Sequence, residues 1–139
     1  MKLILSDELA APVLLAAARA YPNEACGLIE GKGTEDGWIA TAVHEAANIA
    51  GDPARHFLID PQRQFDLMRA LRGKDTRIIG CFHSHPDGVA EPSATDRAEA
   101  YESDFLYLIA AGAPDSGFTL RSYVFRDVAG FAALDLQYE

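Results

Sequence analysis

The chain has 139 residues, 49% of them hydrophobic, which is enough for one domain with a genuine core. Twelve basic and twenty-one acidic side chains give a net charge of -9 without any cluster of lysine or arginine, which argues against a protein that binds nucleic-acid phosphates. No apolar run approaches the length of a membrane span, and the first acidic residue, at position 7, comes too early for a secretory signal. We therefore expect one cytoplasmic domain over residues 1–139 that binds neither nucleic acid nor membranes.

The amino-terminal part of the chain is predicted to form a strand, a helix and a β-hairpin. The expected bounds are residues 2–5 for the strand, 7 to about 20 for the helix, and 24–31 and 38–44 for the hairpin strands. Ser6 is a suitable cap for the helix. Pro12 requires that this helix either starts late or is kinked at the proline.

The remainder of the chain is predicted to alternate between strands and helices. Strands are expected at residues 56–59, 77–82, 105–110, 118–125 and 131–138, and helices from 61 to about 72 and from 94 to about 103. About seven strands and three helices in this order indicate an α+β fold, with a mixed, largely antiparallel β-sheet flanked by helices.

Two histidines stand at the end of the buried strand predicted for residues 77–82. Because side chains alternate along a strand, His83 and His85 share one face, and their backbones lie about 6.6 Å apart. Ile79 and Cys81 are expected on the same face. Imidazole nitrogens bind zinc at about 2.0 to 2.1 Å, so the pair can converge on one ion.

A metal held by two neutral imidazoles needs a further, oxygen ligand. The next oxygen donors along the chain are those of Asp87, Glu91, Ser93 and Asp96. Asp96 is the best placed, because Ser93 resembles a helix N-cap and Asp96 then lies in the first helical turn, facing the strand end. The same residues also fit a capping box without any metal. Both interpretations stay open on these residues alone.

The spacing of these residues resembles a known family. His83, Ser84, His85 and Pro86, six further residues, a serine, two residues and an aspartate form the pattern of the JAMM (MPN-plus) metalloproteases. The resemblance implies the JAMM/MPN fold, which is cytidine-deaminase-like, and hydrolysis of amide bonds at the tails of ubiquitin-like proteins. It also implies a catalytic zinc on His83, His85 and Asp96, with the open fourth position that catalytic zinc sites keep.

The same resemblance assigns two catalytic residues. Family members carry a glutamate after a helix-ending proline and before a Cys-Gly-Leu strand, and Glu24 is the matching position. Glu24 is thereby implied to be the general acid and base, although the residues alone do not select it over Glu30, Glu45 or Glu91. Ser93 matches the serine that donates to the developing oxyanion. Ser84 falls on the opposite strand face and is expected to be structural.

The resemblance also suggests a substrate. The chain looks most like the compact prokaryotic members that act on ubiquitin-like sulfur-carrier proteins ending in Gly-Gly. An extended tail without side chains can enter a narrow cleft and pair with a strand edge. We expect residues 48–60 to supply that edge.

Two alternative functions compete with this interpretation. The first is a non-catalytic MPN scaffold that binds partner proteins, although such domains typically lack part of the ligand set. The second is a non-haem iron oxygenase, because two histidines and a carboxylate also form its facial triad. Separately, His44, His56 and Cys81 are each expected to be buried structural residues more often than ligands.

Overall fold

The computed structural model describes residues 1–139 as a closed barrel of seven strands with three α-helices. The strands are β1 (Lys2–Leu5), β2 (Cys26–Thr34), β3 (Gly37–Ala46), β4 (Arg77–His85), β5 (Leu106–Ala113), β6 (Gly117–Phe125) and β7 (Phe131–Tyr138). The helices are α1 (Asp7–Ala20), α2 (Pro61–Ala70) and α3 (Ala94–Glu99), and a short 3-10 turn covers Asp127–Ala129. No helix is long and apolar enough to cross a membrane.

The strands follow the order β1-β3-β2-β4-β5-β6-β7, and β1 also pairs with β7 to close the barrel. Three pairs are parallel, namely β1 with β3, β1 with β7, and β4 with β5. The other four are antiparallel. The predicted α+β class with a mixed, largely antiparallel sheet is confirmed, and the parallel β4–β5 pair explains why α3 lies between those strands in the chain.

One large apolar cluster joins α1 to all seven strands. Its members from the strands are Leu3, Leu5, Ile29, Trp38, Ala40, Ile79, Phe82, Leu106, Leu108, Ala110, Val124 and Leu134, and those from α1 are Ala10, Val13, Ala16 and Ala17. The four α1 residues recur at intervals of three or four, so they form one helix face. A second, smaller cluster packs α2 on the opposite side of β2 and β4. The end of β4 is therefore held between two packed layers.

The helices begin where the sequence predicts but two end earlier. Helix α1 starts at Asp7, and Ser6 Oγ accepts a hydrogen bond of 3.2 Å from the Leu9 amide. Pro12 lies inside this helix on its exposed side, which excludes the first of the two alternatives, a late start. Helix α3 ends at Glu99 rather than near residue 103, because Ala100 adopts an extended conformation.

Two predictions about strands are corrected by the structure. Residues 56–59 do not form a strand: Ile59 makes one isolated bridge, with Asn48, and the Asn48 side chain occupies the place of a partner strand. Ile79 does not share a face with Cys81, because Ile78 and Gly80 pair with the consecutive residues Glu30 and Ile29 and leave Ile79 as a bulge.

Candidate active site

Two buried imidazoles meet at the carboxyl end of β4. His83 pairs with Cys26 at the start of β2 on one side and with Ile109 of β5 on the other. This central position leaves its side chain fully buried, and His85 is 5% exposed. From Gly80 onward, after the bulge at Ile79, side chains again alternate between the two faces of β4, so the His83 and His85 rings lie on the same face. Their Nε2 atoms are 2.9 Å apart.

Asp96 completes the group from the start of α3. Its Oδ2 atom lies 3.1 Å from the Nε2 atom of His83 and 3.1 Å from that of His85. The same oxygen accepts the Ser93 amide at 2.8 Å, while Ser93 Oγ accepts the Asp96 amide at 3.0 Å. This is a complete capping box. The two interpretations of Asp96 from the sequence are therefore compatible, since the cap aims the carboxylate at the imidazoles.

The loop after β4 fixes the orientation of the second imidazole. His85 Nδ1 lies 2.7 Å from the carbonyl oxygen of Val89, which only accepts, so the ring proton belongs on Nδ1. The Nε2 lone pair then faces His83 and Asp96. Asp87 accepts the Val89 amide, and the Tyr123 hydroxyl donates to Ala90, so the loop is itself held in place. This acceptor could not be predicted from the sequence, because any residue can supply a backbone carbonyl.

Aromatic rings pack against the first imidazole on the sides that Asp96 does not contact. Phe57 stacks on His83 with 4.3 Å between ring centroids and 19° between planes. Tyr107 meets the same ring edge-on at 6.5 Å. His83 Nδ1 is buried and has no hydrogen-bond partner in the chain. Contact with Phe57 on its face and Tyr107 at its edge therefore limits how the His83 ring can turn.

The three converging donor atoms fit a divalent cation. They form a triangle with sides of 2.9, 3.1 and 3.1 Å. A tetrahedral zinc with bonds of about 2.0 to 2.2 Å separates its ligand atoms by about 3.3 to 3.6 Å, so the triangle needs to open by only a few tenths of an ångström. Two imidazoles and one carboxylate are also a usual donor set for zinc. His83, His85 and Asp96 would hold the ion.

Glu24 lies beside this triangle, just before β2. A carboxylate oxygen of Glu24 and the imidazole nitrogens of His83 and His85 all lie within 4.8 Å of one another. The side chain is 6% exposed and makes no hydrogen bond inside the protein. Burial raises its pKa to about 8, although His85 acts in the opposite direction. A buried carboxyl with a pKa near neutrality can both take up and release a proton at physiological pH.

Two of the three candidate ligands, His83 and Asp96, have charges that suit metal binding. Burial lowers the pKa of His83, and its contacts with Asp96 do not offset this, so His83 is neutral at pH 7. Burial also acts to lower the pKa of His85, but bonds to Asp96 and Val89 raise it overall. Burial acts to raise the pKa of Asp96, yet the contacts of its carboxylate with His83 and His85 hold it far below its ordinary value. Asp96 is therefore ionised.

The structure separates Glu24 from the other glutamates that the sequence left open. Glu30 accepts from Thr76 at 2.7 Å and contacts His44 at 2.9 Å, well along β2 from the imidazoles. Glu45 pairs with Arg19 on the surface. Glu91 is exposed. Of the four, only Glu24 lies in the group of buried residues that could hold a metal ion.

The remaining sequence candidates have structural surroundings. Ser84 points away from the imidazoles, as expected, and its Oγ accepts the Ala25 amide at 2.7 Å. Cys81 is buried among Leu28, Leu67 and Leu71. His56 is partly buried, and its Nδ1 atom has no partner. Neither Cys81 nor His56 joins the group of potential metal ligands.

A cavity of about 590 Å³ adjoins Asp96. Its apolar lining comes from both sides of the site and includes Leu28, Phe57, Leu58, Ile59, Phe105 and Tyr107. Glu99 and Glu102 add acidic groups to the lining. An open, largely apolar cavity beside a potential metal centre provides room for an extended peptide.

Comparisons with known proteins agree with one another. The chain matches the family of prokaryotic homologues of the JAB domain over residues 7–125. It is 33% identical to the desampylase of Haloferax volcanii over 107 residues, which cover 77% of this chain and 74% of that protein. It is 28% identical to the CysO-cysteine peptidase of Mycobacterium tuberculosis over 121 residues, 87% of this chain and 81% of that protein. A solution structure from Desulfitobacterium hafniense has a TM-score of 0.86 at 29% identity, covering 99% of this chain and 92% of that one.

Proposed function

The chain belongs to the prokaryotic JAB family of JAMM/MPN domains and is a JAMM-type hydrolase, and from that premise we propose that it is a zinc-dependent peptidase. Its substrate is an amide bond at the C-terminal Gly-Gly tail of a ubiquitin-like sulfur-carrier protein. The observation that carries this proposal is the meeting of His83, His85 and Asp96 at separations of 2.9 to 3.1 Å, with Glu24 beside them. The cytosolic location expected from the sequence stays a prediction.

The residues of the site divide the chemistry among them. Zinc at this site supplies Lewis acidity, which lowers the pKa of water from about 15.7 toward about 7 and polarises a carbonyl group. Glu24 removes a proton from the attacking water and delivers it to the departing amine as the carbon–nitrogen bond breaks. The water oxygen remains on the carbonyl carbon, and its second proton is also taken up by the amine, so the products are a carboxylate and an ammonium group. One carboxyl group therefore serves as base and then as acid.

Ser93 is suited to stabilise the negative charge on the carbonyl oxygen. Its Oγ accepts the Asp96 amide, which leaves the hydroxyl hydrogen available to another acceptor. Ser93 is only partly buried, so a substrate can reach this hydrogen. A donor aimed at the developing oxyanion lowers the barrier of amide hydrolysis.

Two observations support a ubiquitin-like substrate. The relatives include a desampylase, a CysO-cysteine peptidase and a probable TtuB-protein conjugate cleaving protease, and these names fit the ubiquitin-like substrates that the family resemblance implies. The cavity next to Asp96 is bordered by residues 50–51 and 56–59, which lie within the segment 48–60 that was expected to supply a tail-binding edge. Glycine at the end of the tail would allow its backbone to approach the buried site closely.

The direct test uses purified, zinc-loaded protein and ubiquitin-like sulfur carriers that extend beyond the terminal Gly-Gly. We expect mass spectrometry to show one product, cut after the second glycine. His85→Ala serves as the matched control and should produce none. Intact carriers after prolonged incubation with the zinc-loaded wild type would contradict the proposal and would favour the protein-binding scaffold.

The role of the cavity is tested at its rim. Leu58 lines the cavity and is 48% exposed, so Leu58→Ala removes apolar contact without opening the core. We expect KM for a full-length carrier to rise several-fold with little change in kcat, because the contact is the same in the ground and transition states. An unchanged KM would exclude Leu58 from the path of the tail. Deleting residues 52–54 is less informative, because Pro53 also contacts Glu24.

A further inference from the structure

One side chain outside the catalytic group holds the backbone on which Glu24 is mounted. The Asn48 amide nitrogen donates to the carbonyl oxygens of Glu24 at 3.0 Å and His56 at 2.9 Å, and more weakly to that of Pro53 at 3.4 Å. Its Oδ1 atom accepts the amides of Ala50 at 3.1 Å and Leu58 at 3.0 Å. Asn48 therefore uses every donor and acceptor of its amide on backbone groups.

These bonds matter because Glu24 lies outside the sheet. β2 begins at Cys26, so neither polar backbone group of Glu24 belongs to a strand ladder. Its N–H donates to Pro53 at 2.8 Å, and its carbonyl accepts from Asn48. Pro53 in turn accepts from Asn48. Both backbone groups of Glu24 thus depend on the loop that the Asn48 side chain organises.

The Glu24 carboxylate makes no hydrogen bond inside the protein, so its position depends on the position of the Glu24 backbone. On the other side, Ala25 is fixed to β4, since its N–H donates to Ser84 Oγ and its carbonyl accepts the Ser84 amide. A change in the direction of the peptide unit between Glu24 and Ala25 would swing the carboxylate relative to His83 and His85.

We propose that Asn48 is a positioning residue, which sets the place of the Glu24 carboxylate beside the metal site without touching substrate. This inference rests on the peptidase function proposed above, in which Glu24 transfers the proton. Misplacement of a catalytic group by about 1 Å can cost about 10²-fold in rate.

The experiment compares three variants of the full-length protein. Asn48→Ala removes all five bonds. Asn48→Asp keeps the shape and the acceptor for Ala50 and Leu58, but it directs a carboxylate oxygen at three carbonyl groups. Gln62→Ala is the matched control, because the Gln62 amide contacts only Asp66 on the exposed side of α2. We expect kcat to fall about 10- to 100-fold in both Asn48 variants and to stay at the wild-type value in Gln62→Ala.

Two readouts that do not depend on turnover accompany the kinetics. Zinc affinity, measured by competition with a chromophoric chelator, should change less than threefold in either Asn48 variant, since the three ligands are untouched. Hydrogen exchange of the zinc-free protein should speed up at least tenfold at the Glu24 amide, with no change at β5 amides such as that of Ile109.

The outcomes separate positioning from general stabilisation. Faster exchange at Glu24 and β5 alike would overturn the proposal, and so would full kcat in Asn48→Asp, because donation to Glu24 would then be dispensable. Local loss of protection with unchanged kcat would overturn it as well. If the wild type cleaves no carrier, the proposed function fails, and the exchange data still decide whether Asn48 anchors Glu24.

Discussion

Glu24 is the residue whose surroundings depart most from those of an ordinary glutamate. It is buried beside two imidazoles and an aspartate, and no hydrogen bond inside the protein compensates for the loss of water. Burial therefore favours its protonated form and raises its pKa to about 8. Such isolation is costly for a structural carboxyl but suits one that must exchange a proton during each catalytic cycle.

Substitution of this carboxyl separates catalysis from metal binding. We expect Glu24→Gln to retain zinc and to lose about 10²- to 10⁴-fold in kcat, because the amide has similar size but cannot transfer a proton. Zinc content is measured by atomic absorption and kcat by carrier cleavage. His85→Ala is the contrasting control and should lose both. Wild-type turnover in Glu24→Gln would assign the proton transfer to another group.

The raised pKa also predicts how stability depends on pH. A carboxyl with an ordinary pKa of 4.5 and a folded-state pKa of about 8 binds a proton in the folded protein over a range where the unfolded chain has released it. The free energy of unfolding of the metal-free protein should therefore fall as pH rises from about 4.5 to 8, by up to about 1.4 kcal/mol per pH unit from this group.

Urea unfolding in the presence of a chelator, repeated across this pH range, measures that dependence. Glu24→Gln removes the group and should flatten the curve, while His83 and His85 still titrate in both proteins. Parallel curves for the two proteins would mean that Glu24 is already ionised in the folded state.

At the scale of elements, the site joins the end of one strand to the start of one helix. β4 delivers the imidazoles, and the capping box of α3 delivers the carboxylate. With only six residues, α3 is too short to be stable by itself, so its cap and its contacts hold it in place. The motif is legible in sequence because strand alternation and helix capping are both local rules.

Replacing Ser93 affects the helix start and the chemistry together. Ser93→Ala removes the acceptor of the Asp96 amide and should lower the free energy of unfolding by about 1 kcal/mol. It also removes the hydroxyl donor, so we expect kcat to fall about 10²- to 10³-fold. Ser93→Thr keeps both groups and is the control. Loss of stability without loss of kcat would leave Ser93 as a cap alone.

The errors of prediction are also informative at this scale. The predicted face of Ile79 was wrong because a bulge interrupts the alternation of side chains along β4. Nothing in the apolar run of residues 77–82 predicts this bulge. The prediction of a strand at residues 56–59 was wrong because the Asn48 side chain makes the hydrogen bonds to His56 and Leu58 that a neighbouring strand would otherwise make. Both errors come from contacts made outside the segment itself, whereas strand alternation and the capping box act within the elements that carry His83, His85 and Asp96.

At the scale of the whole molecule, closure of the barrel was beyond sequence reasoning. β1 inserts between β3 and β7, in parallel with both, although these strands are far apart in the chain. Periodicity identifies strands but not their partners. The site forms where β2, β4, β5 and α3 meet, so a metal ion bound there should raise the free energy of unfolding of the whole domain.

Zinc should therefore stabilise the whole domain. At a free concentration 100 times its dissociation constant, a ligand that binds only the folded state adds about 2.7 kcal/mol, which is roughly 10 °C in Tm for a domain of this size. We expect this shift in the wild type and none in His85→Ala, as measured by scanning calorimetry. Identical melting curves for the wild type with and without zinc would support the scaffold alternative.

Asp96 Oδ2 contacts both imidazoles and also accepts the Ser93 amide. Because the Ser93 amide restrains this oxygen, the ligand loses little conformational freedom when a cation arrives. The capping box of α3 holds the Asp96 carboxylate in place without a metal ion, so removal of the ion should not unfold the surrounding structure. We therefore expect the protein to stay folded and to regain activity after repeated cycles of metal removal by a chelator and reloading with zinc.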